Sequence, residues 1–169
     1  MLRLNIFLIL TLPFFFSCGA IFDDDVVPTH TRIFSSSNPY FNPLKQEFEE
    51  FYYIYTGNSI NTSDVFINFA DNSLFSDNSI GTCYYIRGVN WGREIVVKAS
   101  YWSTASESCQ RYLIFHELGH CALDQHHRDS HKSIMNTNNS YCHEFVAQEN
   151  LYLEELFTQS QDSIDLLQR

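Results

Sequence analysis

The chain has 169 residues, a length that suits one domain and leaves little room for a second. Its formal net charge of -10 disfavours nucleic acid and anionic lipid surfaces as partners, because both are negatively charged. Hydrophobic residues make up 44% of the chain, which is enough to bury a core without depending wholly on cross-links.

The N-terminus has the features of a targeting signal. Arg3 precedes an apolar run over 4–16, and small residues follow at Ser17, Cys18 and Gly19. The run is shorter than the ~20 apolar residues that span a bilayer. Residues 1–18 are therefore predicted to be a signal peptide, which places the mature protein outside the cytoplasm.

Cys18 allows two interpretations. A cysteine directly after such a run resembles the lipobox of bacterial lipoproteins, in which the cysteine is lipidated, although Phe15 stands where leucine is usual. Lipidation would anchor the protein in a membrane, in the periplasm or at the cell surface. The alternative is an ordinary secretory signal with an incidental cysteine, in which case the protein is secreted.

Two regions of different character follow the signal. Residues 19–43 contain an acidic run and several prolines, which are poorly suited to regular structure, and we predict a solvated tether. A helix is predicted over 44–55, because apolar residues recur there at three- and four-residue intervals. The apolar stripe is formed by Leu44, Phe48, Phe51 and Tyr55.

The remaining sequence predicts an α+β domain over residues 44–158. The further predicted elements, in chain order, are strands over 65–70, 82–87 and 94–99, with a turn at 88–92 between the last two, a helix from Ser106 to about Leu123, and a helix over 144–157. Residues 159–169 are predicted to be a polar, frayed tail. We expect a monomer.

The cysteines that remain after the signal are even in number, as disulfide formation requires. Cys109 and Cys121 lie on one predicted helix about 18 Å apart, which is too far for a disulfide. Of the pairings that remain, we favour Cys83–Cys109 with Cys121–Cys142. Cysteine ligands for zinc are the rival interpretation, but the chain has no Cys-x-x-Cys spacing.

The motif that indicates chemistry is His116-Glu117-Leu118-Gly119-His120. On a helix, two histidines four residues apart lie on one face and can bind one metal ion. Glu117 then stands beside the metal, where a carboxylate can take a proton from a metal-activated water. An amphipathic helix with surface histidines is the alternative interpretation.

A catalytic zinc site needs a third protein ligand and one open position. His126 follows the predicted helix end and is our candidate, whereas His127 and His131 are expected to be exposed histidines. The rival is a glutamate from the final helix, Glu144 or Glu149, as in gluzincin-type zinc peptidases.

Beyond the histidines, Ser133-Ile134-Met135-Asn136 resembles the methionine turn of the metzincin zinc peptidases, whose methionine packs beneath the zinc ligands. The resemblance covers 106–157. It implies a small mixed sheet packed on the zinc helix, with an N-terminal and a C-terminal helix. In metzincins an edge strand of the cleft pairs with extended substrate; the strand over 94–99 is a candidate for that role, and a plain structural strand is the alternative.

The sequence departs from the metzincin pattern at two positions. Leu123 replaces the glycine that lets the chain leave the helix, and Asp124 is expected to take over part of that turn. Thr137 replaces the tyrosine that stabilises the oxyanion in some members, a role for which Tyr141 is a weak candidate. Leu123 together with Cys121 also resembles small bacterial lipoproteins of the metallopeptidase type.

Together these features predict a zinc-dependent endopeptidase that acts on peptides or proteins. It would hold one zinc ion per chain through His116, His120 and His126, with Glu117 as general base. A calcium requirement is conceivable from the Asp and Asn residues of 71–78, but nothing supports it. A non-catalytic extracytoplasmic binding domain is the alternative of a different class.

Overall fold

The computed structural model describes residues 33–75, 79–85 and 92–167, with side chains as far as 158. The helices and strands are α1 (Asn42–Thr56), β1 (Val65–Ala70), β2 (Gly81–Tyr85), β3 (Arg93–Lys98), α2 (Ala99–Trp102), α3 (Glu107–Leu123), α4 (Cys142–Phe145) and α5 (Glu149–Leu167). The predicted α+β class is confirmed. The predicted signal peptide, Cys18 and nearly all of the turn at 88–92 lie outside the described residues.

The three strands form one small sheet in the order β1-β3-β2. β3 pairs in parallel with β1 and antiparallel with β2, so Ile95 stands between Ile67 and Cys83. Of the two interpretations of strand 94–99, the edge of the cleft is therefore wrong, and a structural strand inside the sheet agrees with the strand order. The central residues of β3, Ile95, Val96 and Val97, are fully buried, as expected for a strand paired on both sides.

Residues 33–38, which we predicted to belong to a tether, pack against the sheet. Asn38 N–H donates to Ile67 O at 2.9 Å, and Ser37 Oγ lies 3.1 Å from Ile67 N. The backbone N–H groups of Ile33 and Phe34 each donate to a carboxylate oxygen of Glu94 at 3.0 Å. Glu94 is fully buried. This segment is therefore part of the folded domain.

Aromatic side chains join the helices into one core. Phe48 of α1 packs edge-on against Phe115 of α3 and Phe157 of α5, with ring centroids 5.3 and 5.1 Å apart. All three rings are buried. Edge-to-face packing of this kind adds to the free energy gained by burial itself. The core thereby fixes α3 between the sheet and α5.

Two disulfides attach α3 to its neighbours, but the pairing that we favoured is wrong. Cys83 is bonded to Cys121, and Cys109 is bonded to Cys142, with Cα–Cα distances of 5.7 and 4.7 Å. The reason is the direction of packing: β2 lies along the C-terminal half of α3, whereas α4 lies beside its N-terminal half. The exclusion of a Cys109–Cys121 bond is confirmed.

The last helix extends further than the sequence suggested. α5 continues to Leu167, through most of the region that we predicted to be a frayed tail. Within the described part of the chain, none of the helices combines the length and the apolar character needed to cross a bilayer.

Candidate metal centre

Helix α3 carries the central motif. It begins after Ser106, whose side chain accepts a hydrogen bond from Cys109 N–H at 3.3 Å and so caps the first turn. Because His116 and His120 are four residues apart, they lie one turn apart on the same face. Their ring centroids are 4.7 Å apart.

Each of these two histidines is oriented by a backbone carbonyl. His116 Nδ1 lies 2.6 Å from Ile134 O, and His120 Nδ1 lies 2.6 Å from Gln125 O. A carbonyl oxygen can only accept a hydrogen bond, so Nδ1 carries the proton in both rings. Nε2 of each ring is therefore left with its lone pair, as metal binding requires.

The third imidazole at this point belongs to His127. His120 Nε2 lies 3.2 Å from His116 Nε2 and 3.1 Å from His127 Nε2. Three nitrogens at ~2.0–2.1 Å from a tetrahedral zinc ion would be about 3.3 Å apart. The spacing of these ring nitrogens thus fits one tetrahedral metal ion, and the donor set is one that zinc favours.

The structure does not place His126, our predicted third ligand, in this group. The reason lies at the end of α3. Leu123 is still helical, and the left-handed residue is Asp124, with φ 54°. The metzincin pattern has its glycine at the position of Leu123. Because the turn comes one residue later here, the histidine that joins His116 and His120 also comes one residue later.

Side chains from the sheet support this turn. Tyr85 Oη lies 2.5 Å from Asp124 Oδ1 and 3.0 Å from His120 O. Arg93 donates to Cys121 O and lies 3.8 Å from Asp124 Oδ1. The carbonyls at the end of a helix lack intrahelical partners. Tyr85 of β2 and Arg93 of β3 donate hydrogen bonds to two such carbonyls. Burial and the hydrogen bond with Asp124 raise the pKa of the Tyr85 hydroxyl.

Glu117 points away from solvent, toward β2. Its side chain is buried, and the backbone N–H of Cys83 donates to its carboxylate. A Cβ at Gly81 would come within 2.5 Å of Glu117 Oε1, so the carboxylate needs a glycine at that position. Burial raises the pKa of Glu117 to about 8, although the Cys83 N–H opposes this shift. At neutral pH the metal-free site therefore retains this proton.

The pKa of His116 is shifted in the opposite direction to that of Glu117. Burial, together with the neighbouring His120, lowers the pKa of His116 to about 3. The imidazole is therefore neutral throughout the physiological range, and no proton competes with a metal ion for its Nε2.

Met135 lies beneath the helix, in a tight turn. Asn136 N–H donates to Ser133 O at 3.1 Å, and Met135 N–H donates to Ser133 Oγ at 3.0 Å. Met135 is fully buried. A Cβ on Gly119 would overlap its sulfur, so the glycine of the His-Glu-x-x-His motif admits the methionine to the helix surface.

The other candidates lie in different surroundings. Glu144 pairs with Lys132 Nζ at 2.5 Å and Glu149 pairs with Arg111 Nη2 at 2.5 Å, so neither rival glutamate joins the histidines. Thr137 donates to Asp129 through its backbone N–H and its hydroxyl. Tyr141 lies against Lys132, with Nζ 5.6 Å from the ring centroid.

Two features of the site were missed by sequence reasoning. Gln125 and Ile134 act through their carbonyls, which a sequence does not display. Asp129 accepts from Thr137 N–H and Oγ1, and the backbone N–H chiefly lowers the pKa of this carboxyl, with His127 and His116 contributing. Its spacing from the histidines has no recognised pattern.

A second group of potential ligands contains Cys109, Cys142 and His143. The two sulfurs are joined in a disulfide, which removes their capacity to bind a metal as thiolates. The loop considered for calcium is described at 71–75, where Asn72 Oδ1 accepts from Ser100 Oγ.

Comparison of the chain with protein-family models, with curated proteins and with solved structures finds no match.

Proposed function

We propose that this chain is a zinc-dependent endopeptidase, in which His116, His120 and His127 hold one zinc ion and Glu117 acts as general base. The observation that carries the proposal is the spacing of the Nε2 atoms, 3.1 and 3.2 Å from His120 to its two neighbours. Lone pairs repel one another at such distances unless a cation lies between them. A metal ion removes that repulsion.

The site offers three protein ligands, as catalytic zinc sites do, whereas structural zinc is enclosed by four. When bound, zinc would supply a Lewis acid that lowers the pKa of a water to ~7 and polarises the scissile carbonyl. The positive charge would also favour the ionised form of Glu117, which the metal-free site disfavours.

Glu117 takes a proton from the attacking water while the water oxygen bonds to the carbonyl carbon. The same carboxyl then gives that proton to the amine as the carbon–nitrogen bond breaks. Cys83 N–H and Gly81 hold Glu117 in one place, so β2 prepares the base for this transfer. Tyr141 and Thr137 have no assigned part in the reaction.

β2 is also the strand best placed to bind an extended peptide. It lies at the end of the strand order, against the helix that carries the histidines, and within the described residues it pairs with β3 alone. A peptide added to this strand would present its backbone beside the metal position. We therefore propose residues 81–85 for this substrate role, for which the sequence had offered strand 94–99 as a candidate.

The setting that we propose is extracytoplasmic. The two disulfides are compatible with an oxidising compartment. Lipid attachment at Cys18 remains a prediction, and mass spectrometry of the mature N-terminus, beside a Cys18→Ala variant, would test it.

The function is tested by a matched pair of histidine variants. The wild-type chain should bind one zinc ion, His127→Ala should lose at least ~100-fold in affinity, and His126→Ala should bind as the wild type does. Glu117→Gln should keep zinc but lose hydrolysis of a peptide library by at least ~100-fold.

Each alternative has its own outcome in the same experiment. Zinc retained in His127→Ala but lost in His126→Ala would return the third ligand to His126. Zinc retained in both would favour a glutamate ligand. Zinc binding without any hydrolysis would indicate a binding domain, and a wild-type chain that takes up no zinc would exclude the proposal.

A further inference from the structure

All three imidazoles depend on one stretch of chain, residues 124–136, which we call the ligand loop. The loop contains His127 itself. It also contains Gln125 and Ile134, whose carbonyls accept from His120 Nδ1 and His116 Nδ1 at 2.6 Å. Whatever fixes this loop therefore fixes the directions of the three Nε2 lone pairs together.

One carboxylate of α5 holds the loop at two points. Glu155 Oε1 accepts from Arg128 Nη1 at 2.6 Å, and Glu155 Oε2 accepts from Ser133 Oγ at 2.6 Å. His131, also in the ligand loop, makes an additional contact, with its Nε2 3.3 Å from Glu155 Oε1. Ser133 is fully buried, and only 13% of the Glu155 side chain is exposed. These contacts are thus partly shielded from water. Charge-assisted hydrogen bonds are stronger when they are shielded in this way.

The two residues that Glu155 contacts, Arg128 and Ser133, are each adjacent in sequence to a residue that forms or orients the candidate site. Arg128 directly follows His127, and Ser133 directly precedes Ile134. Arg128 N–H also donates to Met135 O at 2.8 Å, which draws the two arms of the loop together. A shift at either arm would move an imidazole or the carbonyl that orients one.

We infer that Glu155 is a positioning residue for the metal centre: it sets the place of His127 and of the Ile134 carbonyl, and so the affinity for zinc. This inference rests on the proposed function. Groups that orient metal ligands without touching the metal commonly change metal affinity 10–100-fold when they are replaced.

Contacts other than those of Glu155 also hold the ligand loop against the helices. Gln125 Nε2 donates to Leu156 O at 2.6 Å, and Tyr112 Oη donates to Ser133 O at 2.6 Å. These contacts would remain after Glu155 is replaced, and they tie the loop to α5 and α3. Replacement of Glu155 should therefore affect zinc binding more than folding.

The test compares Glu155→Gln with Glu154→Gln, which removes the same charge from the adjacent, exposed position of α5. Zinc dissociation constants come from competition with a chromophoric chelator, and Co²⁺ absorption reports ligand geometry. Thermal melting of the metal-free proteins reports the fold. We expect Glu155→Gln to weaken zinc binding by roughly tenfold or more and to alter the Co²⁺ spectrum, whereas Glu154→Gln stays within about twofold of the wild type.

Ser133→Ala provides a second variant, which removes the contact at Oε2 together with the hydrogen bond from Met135 N–H but leaves the contact at Oε1, and it should weaken zinc binding several-fold. If both variants bind zinc as Glu154→Gln does, the inference is overturned while the proposed function stands. If the wild type binds no zinc, the proposed function fails and the inference fails with it.

Discussion

The sulfur of Met135 lies against the backbone of Gly119, with no room for a methyl group between them. A Cβ on Gly119 would overlap Sδ and lie 3.2 Å from Cε of the same side chain. It would also lie 3.3 Å from Leu156 Cδ1. Because Gly119 directly precedes His120, this contact brings the methionine turn, α5 and the face of α3 that carries the candidate metal ligands to one point.

Gly119→Ala should therefore destabilise the protein. Alanine would normally stabilise a helix interior by ~1 kcal/mol relative to glycine, but overpacking costs ~1–3 kcal/mol. We expect a net loss in the free energy of unfolding, measured with urea.

The control combines Gly119→Ala with Met135→Ala. If the overlap is the cause, the double variant should lose less stability than the two single variants added together. Additive losses would contradict the contact.

The raised pKa of Glu117 predicts an unusual pH dependence for the metal-free protein. Between pH 4.5 and about 8 the folded state keeps a proton that the unfolded state releases, so stability falls as pH rises through this window. Glu117→Gln cannot release that proton. In the presence of a chelator, it should be more stable than the wild type at pH 9, by on the order of a few kcal/mol.

The difference should become small near pH 4.5, because the wild-type carboxyl is then protonated in the folded state and half protonated in the unfolded state. Urea unfolding at pH 4.5, 7 and 9 measures it. A constant difference at all three values would show that Glu117 does not titrate as the structure indicates.

We expect the two disulfides to contribute similarly to stability but differently to hydrolytic activity. They close loops of similar length, with sequence separations of 38 and 33. Replacing both cysteines of either pair by alanine should thus cost a similar amount, about 4 kcal/mol in the chain-entropy model. Only Cys83–Cys121 also carries the N–H that holds Glu117.

We therefore expect the Cys83/Cys121 double variant to lose more hydrolytic activity than the Cys109/Cys142 double variant at a temperature where both are folded. Zinc affinity should fall little in either. Equal activities would show that the disulfide does not help to place the base.

The contact between Glu94 and the N-terminal segment predicts where the folded domain begins. A chain that starts at residue 39 lacks the N–H groups of Ile33 and Phe34, which donate to the buried Glu94 carboxylate. Loss of such donors costs ~1–3 kcal/mol or more, so its melting temperature should fall by several degrees.

A chain that starts at residue 33 is the matched control and should melt as the longer chain does. Equal melting temperatures for chains that start at 33 and at 39 would mean that the segment contributes nothing to stability.

Much of this architecture could be predicted because its causes are local. The helix with Phe48 follows from apolar spacing, and the start of α3 follows from Ser106, whose side chain caps it. Likewise, His116 and His120 share a face by helix geometry alone, and the structure brings their Nε2 atoms together as expected.

The remaining errors concern relationships between elements. Which cysteine meets Cys121 depends on the direction in which β2 lies along α3, and spacing does not encode that direction. The choice of His126 over His127 followed the metzincin spacing, in which the chain turns at the position of Leu123, whereas here the left-handed residue is Asp124. Glu155 was not foreseen, because its partners are more than twenty residues away in sequence.

The division of contacts around α3 has a final consequence. The imidazoles of His116 and His120 are oriented by the ligand loop on one side, while Glu117 is held from the other side by β2. Under the proposed function, capture of a metal ion and proton transfer would therefore be separable traits of this scaffold. Mutational drift in the sheet would produce a zinc-loaded protein without hydrolysis, and drift in the loop would produce a well-placed base without its metal. A related chain could thus become a receptor by changes in the sheet alone.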